Sequence, residues 1–369
     1  MAGLKEVHVD LSLQDLPASY TAVKRLGHGA QAQVFSALAA GDSDRPPCAL
    51  KVFEEGISDE VFERELAVIQ KLSSSNCANF LRVHGFLKKG AKVQIPRSLP
   101  RDELDTLAHW RKGNDVLHRQ SVISAELCRR GDLFDLISKA GRLADHKQLK
   151  FAFLQIAQAV HTLHEFAGYA HLDLKLENVL IGDDGALKLC DFGFARELPG
   201  TDPGVPGGGA ADANTNAPLT DYVATRWYRA PELLLGQPYR AADGVGGVTR
   251  AGYGQPVDMW AVGCLAGELR DGEPMFPGEN DVDQLRLVQR CLGRLTPGQM
   301  MAFSVNPHNA GVTFPEEELG VREESLAARY GGVFDDVALD FVQGLLELNP
   351  KKRRTGAACL EHPYFRGLD

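Results

Sequence analysis

In the first third of the chain the apolar positions come in short runs with strand-like alternation or β-branched content. Residues 20–26, 33–38 and 49–53 fit this description, and a turn containing Gly27 and Gly29 separates the first two. Residues 58–72 follow another period. Val61, Phe62, Glu65, Leu66, Ile69 and Leu72 recur at helical spacing, Ser58 is placed to cap the start, and Asp59 and Glu60 in the first turn suit the helix dipole. Past Cys128 the pattern turns mainly helical. Residues 149–166 carry Phe153, Ile156, Ala157, Val160, Leu163 and His164 on one broad side, 257–269 form a second strongly apolar helix, and 339–348 form a third that Asn349-Pro350 stops. On this pattern His164 is a packing or capping residue.

The reading is an α+β chain: an extension over 1–19, a small β-rich lobe with one helix over 20–128, and a larger helical lobe over 129–369, joined near 126–130. Three stretches interrupt the plan. Residues 89–119 are long and polar, 199–218 are rich in Gly, Ala, Pro and Asn, and 241–254 are rich in Gly, Ala and Val. Little in them can pack, so exposed loops are expected, as padding or as docking and regulatory segments.

Composition narrows the classes. With 369 residues, 44% of them hydrophobic, the chain can bury one large core or two modest ones. A net charge of -9 argues against nucleic acid as a partner, although 351–354 form a basic patch. The seven cysteines are scattered and form neither a zinc pair nor a disulfide framework, which favours a reducing compartment. Residues 1–19 hold Glu6, Asp10 and Asp15 and no apolar run, so a secretory signal is not expected, and no run is long enough to span a membrane.

Candidate chemistry sits in an ordered series. Leu26-Gly27-His-Gly29-Ala-Gln-Ala32-Gln-Val34 has two glycines that would let backbone approach an anion, with Ala32 where a third would fall; alone, a hairpin turn explains it as well. Lys51 follows in Ala49-Leu-Lys-Val, and Glu65 shares a helix side with Ile69 and Leu72; taken singly they would be a surface pair. His171-Leu172-Asp173-Leu-Lys175-Leu-Glu177-Asn178-Val-Leu180 then precedes Asp191-Phe-Gly193.

In this order and spacing the series resembles the nucleotide and metal site of a protein kinase, which implies the bilobal fold of that family. The resemblance makes Asp173 the base that accepts and orients a substrate hydroxyl. Lys175 offsets charge on the transferred γ-phosphoryl group, and Lys51, held by Glu65, bridges the α- and β-phosphates of ATP. Asn178 and Asp191 are the oxygen ligands of Mg²⁺. Leu26, Gly27 and Gly29 belong to the loop over the nucleotide. Val34, Ala49 and Leu180 sandwich the adenine, the backbone of Glu126 to Cys128 offers it hydrogen bonds, and Ala125 leaves space behind it.

Further stretches narrow the likeness. Thr220-Asp-Tyr222-Val-Ala-Thr-Arg-Trp-Tyr-Arg-Ala-Pro-Glu232 and Val257-Asp-Met-Trp-Ala-Val-Gly-Cys264 resemble the cyclin-dependent and mitogen-activated kinase group. Asp191-Phe-Gly-Phe-Ala-Arg196, Asp271-Gly-Glu-Pro-Met-Phe-Pro-Gly278 and Asn306-Pro-His-Asn-Ala-Gly-Val-Thr-Phe-Pro315 resemble the cyclin-dependent kinase-like family, closest to its fifth-member branch. That likeness runs from about Tyr20 to Phe365 outside the three inserts.

It implies Ser/Thr phosphorylation of protein substrates, among them microtubule- or cilium-associated ones, in the cytoplasm or the cilium or flagellum, with a role in setting its length. Thr220 and Tyr222 are the paired phosphorylation positions, served by an upstream activating kinase, with Arg64, Arg196, Arg226 and Arg229 as candidate phosphate partners. Glu232 pairs with Arg353, and Asp258 anchors the catalytic-loop backbone. The 58–72 helix lacks a cyclin-binding sequence, so a cyclin is not expected; the expected state is a monomer. Leu172 departs from the pattern, which has Arg there, and implies looser coupling of activity to phosphorylation at Tyr222. The competing readings are a nucleotide-binding pseudokinase and a docking scaffold acting through 89–119.

Overall fold

A computed structural model describes residues 19–29, 31–39, 46–54, 57–94, 116–198, 226–235, 254–321 and 324–368. The expected extension, apart from Ser19, which opens a strand, the two Gly/Ala-rich inserts, apart from Gly254, and the positions Thr220 and Tyr222 lie outside the described residues. The chain divides into two compact units. The first holds the described residues up to Gly131 together with Leu180–Gly193, and the second holds Asp132–Val179 and the described residues from Phe194 on.

In the first unit, β1 (Ser19–His28), β2 (Ala32–Ala39), β3 (Cys48–Phe53), β4 (Val83–Gln94) and β5 (Val116–Glu126) close a barrel in the order β1-β2-β3-β5-β4. Alternation is what fills it. Tyr20, Ala22, Phe35, Ala37, Cys48, Leu50, Val52 and Val122 point inward as one buried cluster, which a one-residue slip would turn to solvent. The stretch expected to loop from 89 to 119 is strand at both ends. Val93 pairs with Leu117, Gln94 with Val116, and β1 adds a parallel edge along Lys92 to Gln94. Backbone pairing across the two strands outweighs the local polarity; residues 95–115 lie outside the described residues.

Helix α1 (Asp59–Ser73) buries Phe62, Glu65, Leu66, Val68, Ile69 and Leu72. Phe62 packs edge-on to Phe53 and Phe86, with centroids 5.2 and 6.1 Å away, which fixes the helix against β3 and β4. Ser58 does sit at the N-cap, but its side chain makes no capping bond; extended at φ -61 and ψ 143, it contributes its backbone carbonyl to Val61 instead.

The second unit is built around α5 (Gln255–Asp271), whose residues from Val257 to Arg270 are all buried, mostly apolar on every side, with the charged Asp258, Glu268 and Arg270 held by partners. The elements before it are α2 (Leu133–Ala140), α3 (His146–Thr162) and the short α4 (Pro231–Leu234); after it come α6 (Asp281–Leu292), α7 (Pro297–Val305), α8 (Leu326–Tyr330), α9 (Asp336–Leu345) and α10 (Gly356–Leu360). Asp145 caps α3 by accepting from the Gln148 amide, and the helix continues as a π turn over Leu163–Ala167. The third helix anticipated from sequence ends at Leu345, ahead of Pro350. Arg354 donates its backbone N–H to the Gly344 carbonyl, and Arg353 reaches the Glu347 carbonyl, so tertiary donors replace the next helical turn.

One core position opposes the rest. Gln33, 0% exposed and opposite Val52, has no partner among the described residues for either its Oε1 or its Nε2. A buried unpaired amide costs about 1–3 kcal/mol. Gln33→Leu, of similar shape, is therefore expected to stabilise the protein by about 1 kcal/mol or more, read as a higher urea midpoint at unchanged m-value. A lower midpoint would mean that the amide does have a partner, such as a buried water.

Candidate functional site

Strand alternation in β3 turns Leu50 and Val52 into the barrel and leaves Lys51 facing the other way. Its Nζ lies 2.7 Å from both carboxylate oxygens of Glu65 and 2.9 Å from Asp191 Oδ1. Helical spacing puts Glu65 on the buried side of α1, where it is 3% exposed. Two carboxylates thus share one ammonium. Burial opposes the charge on Lys51, but Asp191 and Glu65 more than offset it, and the pKa stands well above the usual lysine value. Burial, and then the nearby Asp191, push Glu65 up against the pull of Lys51. The surplus of negative charge and the hard oxygen donors at Asp191 fit a cation with phosphate oxygens.

Asp191 sits at φ 62, a left-handed conformation that Asp tolerates better than most residues. The turn it opens is held on several sides. Phe192 packs 6.3 Å from Phe80, Gly193 donates its N–H to Asp191 Oδ1 at 3.4 Å, and Arg64 Nη1 reaches the Gly193 carbonyl at 3.1 Å. Arg64, a candidate phosphate partner from sequence, is engaged here with backbone.

Around the expected nucleotide pocket, Ala49 pairs with Ser36 on one side and Ala125 on the other, and Val34 with Lys51. Val34, Ala49 and Leu180 are half-buried, Ala125 is buried, and Leu26 stays 47% exposed. A Cβ on Gly27 would meet nothing within 4 Å, so nothing in the fold requires that glycine and room is left for an incoming group. Glu126 cannot offer its N–H, which the Arg82 carbonyl takes at 2.9 Å, and its carboxylate pairs with Lys188 at 3.0 Å. Burial pushes the Cys128 thiol up to about 11, which leaves it protonated at neutral pH.

In the second unit the catalytic-loop candidates come together around Asp173, which is 4% exposed. Lys175 Nζ is 2.9 Å from its Oδ2, and Asn178 Nδ2 donates to its backbone carbonyl at 2.7 Å and to Oδ2 at 3.2 Å. Oδ1 is buried with no partner among the described residues. The carboxylate is thus fixed through one oxygen and presents the other, which suits the receipt of a hydroxyl proton. The loop itself hangs on Asp258. Its Oδ2 accepts from the His171 amide at 2.7 Å and its Oδ1 from the Leu172 amide at 2.8 Å, as expected from sequence, while His164 Nε2 closes on Oδ2 at 2.7 Å. Burial works against this charge, yet the hydrogen bonds from His164 and the loop hold the Asp258 carboxyl below its usual value.

A protein kinase domain model matches residues 20–365. Mouse cyclin-dependent kinase-like 4 is 33% identical over 95% of this chain and 84% of its own length. The chain belongs to the cyclin-dependent kinase-like family. Rabbit cyclin-dependent kinase-like 2 is 41% identical over 86% of the chain and 46% of its own length, and mouse cyclin-dependent kinase-like 5 is 40% identical over 64% of the chain. This chain spans about a fifth of that last relative, 22% of its length.

Leu172, where the family pattern has Arg, sits at φ 65 and lines a small hollow with Tyr228, Leu233, Val257 and Ala261. Among the other candidate arginines, Arg226 is committed to Asp281 and the Glu279 carbonyl, both at 3.0 Å, and Arg196 to the carbonyls of Phe194 and Ala195, both at 2.9 Å. Arg353 and Glu232 form the anticipated pair, bidentate at 2.7 and 3.0 Å and buried on both sides. Removing one partner of such a pair costs about 3–5 kcal/mol.

Sequence reasoning did not find Tyr228 and Glu268, whose 2.6 Å hydrogen bond crosses forty positions with no periodicity to announce it. Burial first, then Glu177, Asp271 and Glu273, push Glu268 up to about 7 against the pull of the Tyr228 hydroxyl. The folded state then holds a proton that the unfolded chain loses near the ordinary glutamate value of 4.5, so this group withdraws stability as pH rises from 4.5 to about 7. Glu268→Gln is expected to gain about 2 kcal/mol over wild type between about pH 5 and about pH 8, measured by urea unfolding at each pH. A constant difference across that range would contradict it.

Proposed function

We propose that the chain is an ATP-dependent protein Ser/Thr kinase. The observation that carries the reading is the Asp173 carboxylate, clamped at Oδ2 by Lys175 and Asn178 with Oδ1 buried and unpartnered among the described residues. A substrate hydroxyl would give its proton to Oδ1 as its oxygen attacks the γ-phosphorus, and the bond to the β–γ bridging oxygen would break to release ADP. Lys175 would neutralise charge on the transferred group, and Lys51, steered by Glu65, would hold the α- and β-phosphates. Asp191 and Asn178 are the donors for Mg²⁺, which when bound would shield the phosphate charge. Val34, Ala49 and Leu180 would flank the adenine.

The family likeness supports protein substrates, among them microtubule- or cilium-associated ones, and a part in setting the length of a cilium or flagellum. It also supports activation at Tyr222 by another kinase and a monomer that works without a cyclin.

The test is phosphate transfer from Mg²⁺-ATP to a Ser/Thr peptide library. Asp173→Asn and Lys51→Arg should each lose about 100-fold or more of turnover, with ATP-dependent thermal stabilisation retained in Asp173→Asn. Substantial turnover in both variants would remove these roles. Stabilisation by ATP without transfer in the wild type, even after Tyr222 is phosphorylated, would favour a nucleotide-binding scaffold.

Regulation is read from Leu172, which cannot donate to a phosphate as Arg does. Phosphorylation at Tyr222 should raise wild-type turnover only a fewfold, on the order of 2–5, and Leu172→Arg should raise that ratio. Equal ratios in the two proteins would count against the reading.

A further inference from the structure

Gly193 is approached from the tip of the glycine-bearing turn. A Cβ at position 193 would lie 2.5 Å from Gln31 Oε1 and 3.5 Å from Asp191 Oδ1, so the Gln31 carboxamide and the Asp191 carboxylate crowd the same side of that glycine. The turn is braced behind Gln31. Glu54 donates its N–H to the Gln31 carbonyl at 3.0 Å, and Gly29 donates its own to Ala32 at 3.0 Å. The Gln31 carboxamide makes no hydrogen bond among the described residues.

This arrangement leaves a chemical gap. A turn with two glycines binds phosphate through backbone N–H groups, and here the Gly29 N–H is already spent on the Ala32 carbonyl. Around the seat of Gln31, Glu65 and Asp191 share Lys51, and Arg64 is engaged with the Gly193 carbonyl. A phosphoryl group entering there needs neutral donors as well as cations. A carboxamide offers two N–H donors with no charge to desolvate, and it sits beside the residue expected to hold the cation.

We propose that Gln31 is a phosphate-contacting residue, its carboxamide seated against Gly193 and donating its Nε2 hydrogens to the terminal phosphoryl oxygens of a bound nucleoside triphosphate. The assignment rests on the nucleotide-binding half of the proposed function. It gives the turn a side-chain donor where its backbone is short of one, and it makes the triphosphate, rather than the adenine, what Gln31 recognises. A Cβ at position 193 would drive the carboxamide from its seat.

Isothermal titration of the full chain with Mg²⁺-ATP, Mg²⁺-ADP and adenosine tests it by binding alone. Gln31→Leu keeps the shape and removes the donors, and Gln31→Glu keeps the shape and adds a charge. Affinity for ATP should fall about tenfold in the first and further in the second, with ADP and adenosine affinities within about twofold of wild type. Melting temperatures of the unliganded variants should match wild type, since the side chain satisfies no internal partner. Unchanged ATP affinity in both variants, or an equal loss for all three ligands, would overturn the proposal and leave ATP binding itself standing. A wild-type chain that binds none of the ligands would overturn the proposed function and this assignment with it.

Discussion

The second unit depends on one buried carboxylate. Asp258 lies 1% exposed on the central helix, and its charge is met by the His164 ring and the amides of His171 and Leu172. Each hydrogen bond to a charged acceptor contributes about 1.5–3 kcal/mol, whereas holding a non-glycine residue left-handed costs about 1–2 kcal/mol. The anchor therefore outweighs the strain at Leu172, and the conformation that aims Asp173 persists without an arginine. The same balance specifies the His164 tautomer. Nε2 must carry the proton donated to Asp258, because Nδ1 is buried where nothing would accept one.

In the first unit the electrostatics are incomplete by design. Two carboxylates share one lysine; they hold the Lys51 pKa above its usual value, and Glu65, raised first by burial, is raised further by Asp191. A purely structural ion pair would not need the second acid. Adding positive charge next to Asp191 relieves the repulsion that Glu65 feels, so cation binding and the Lys51–Glu65 contact support each other. The position of α1 is thereby tied to the state of the site through Glu65, and Arg64 on the same helix, hydrogen-bonded to the Gly193 carbonyl, ties it a second time.

Much of this was legible in the chain, for reasons that differ by element. The β2 and β3 strands and α1 follow from periodicity because each buries one face, and Lys51, Glu65, Asp173, Asn178 and Asp191 stand out by order and spacing. The Asp258 anchor and the Glu232–Arg353 pair came from resemblance, and no local pattern foretells partners so far apart. What escaped notice is tertiary. The ends of β4 and β5 look polar until their partners are known, the last turn of α9 is displaced by arginines beyond it, and Glu268 meets Tyr228 only through the packing of α5. Leu172 could be read as a missing donor, but its left-handed backbone could not.

The departures from the family pattern all fall on one kind of position. Ala32 and Leu172 replace residues that act through backbone freedom or hydrogen-bond donation, while every charged group that touches phosphate, cation or hydroxyl in the proposed chemistry is kept. Charge cannot be supplied by a neighbour without rebuilding the site, because buried ions need partners at fixed distance. Neutral donors and backbone shape can be. The two Asp258 hydrogen bonds hold the loop that an arginine would otherwise help to brace, and a carboxamide at position 31 can stand in for backbone N–H groups. The ionic positions of the proposed chemistry are thus all present in this chain, and its departures from the family pattern fall on neutral donors and backbone shape.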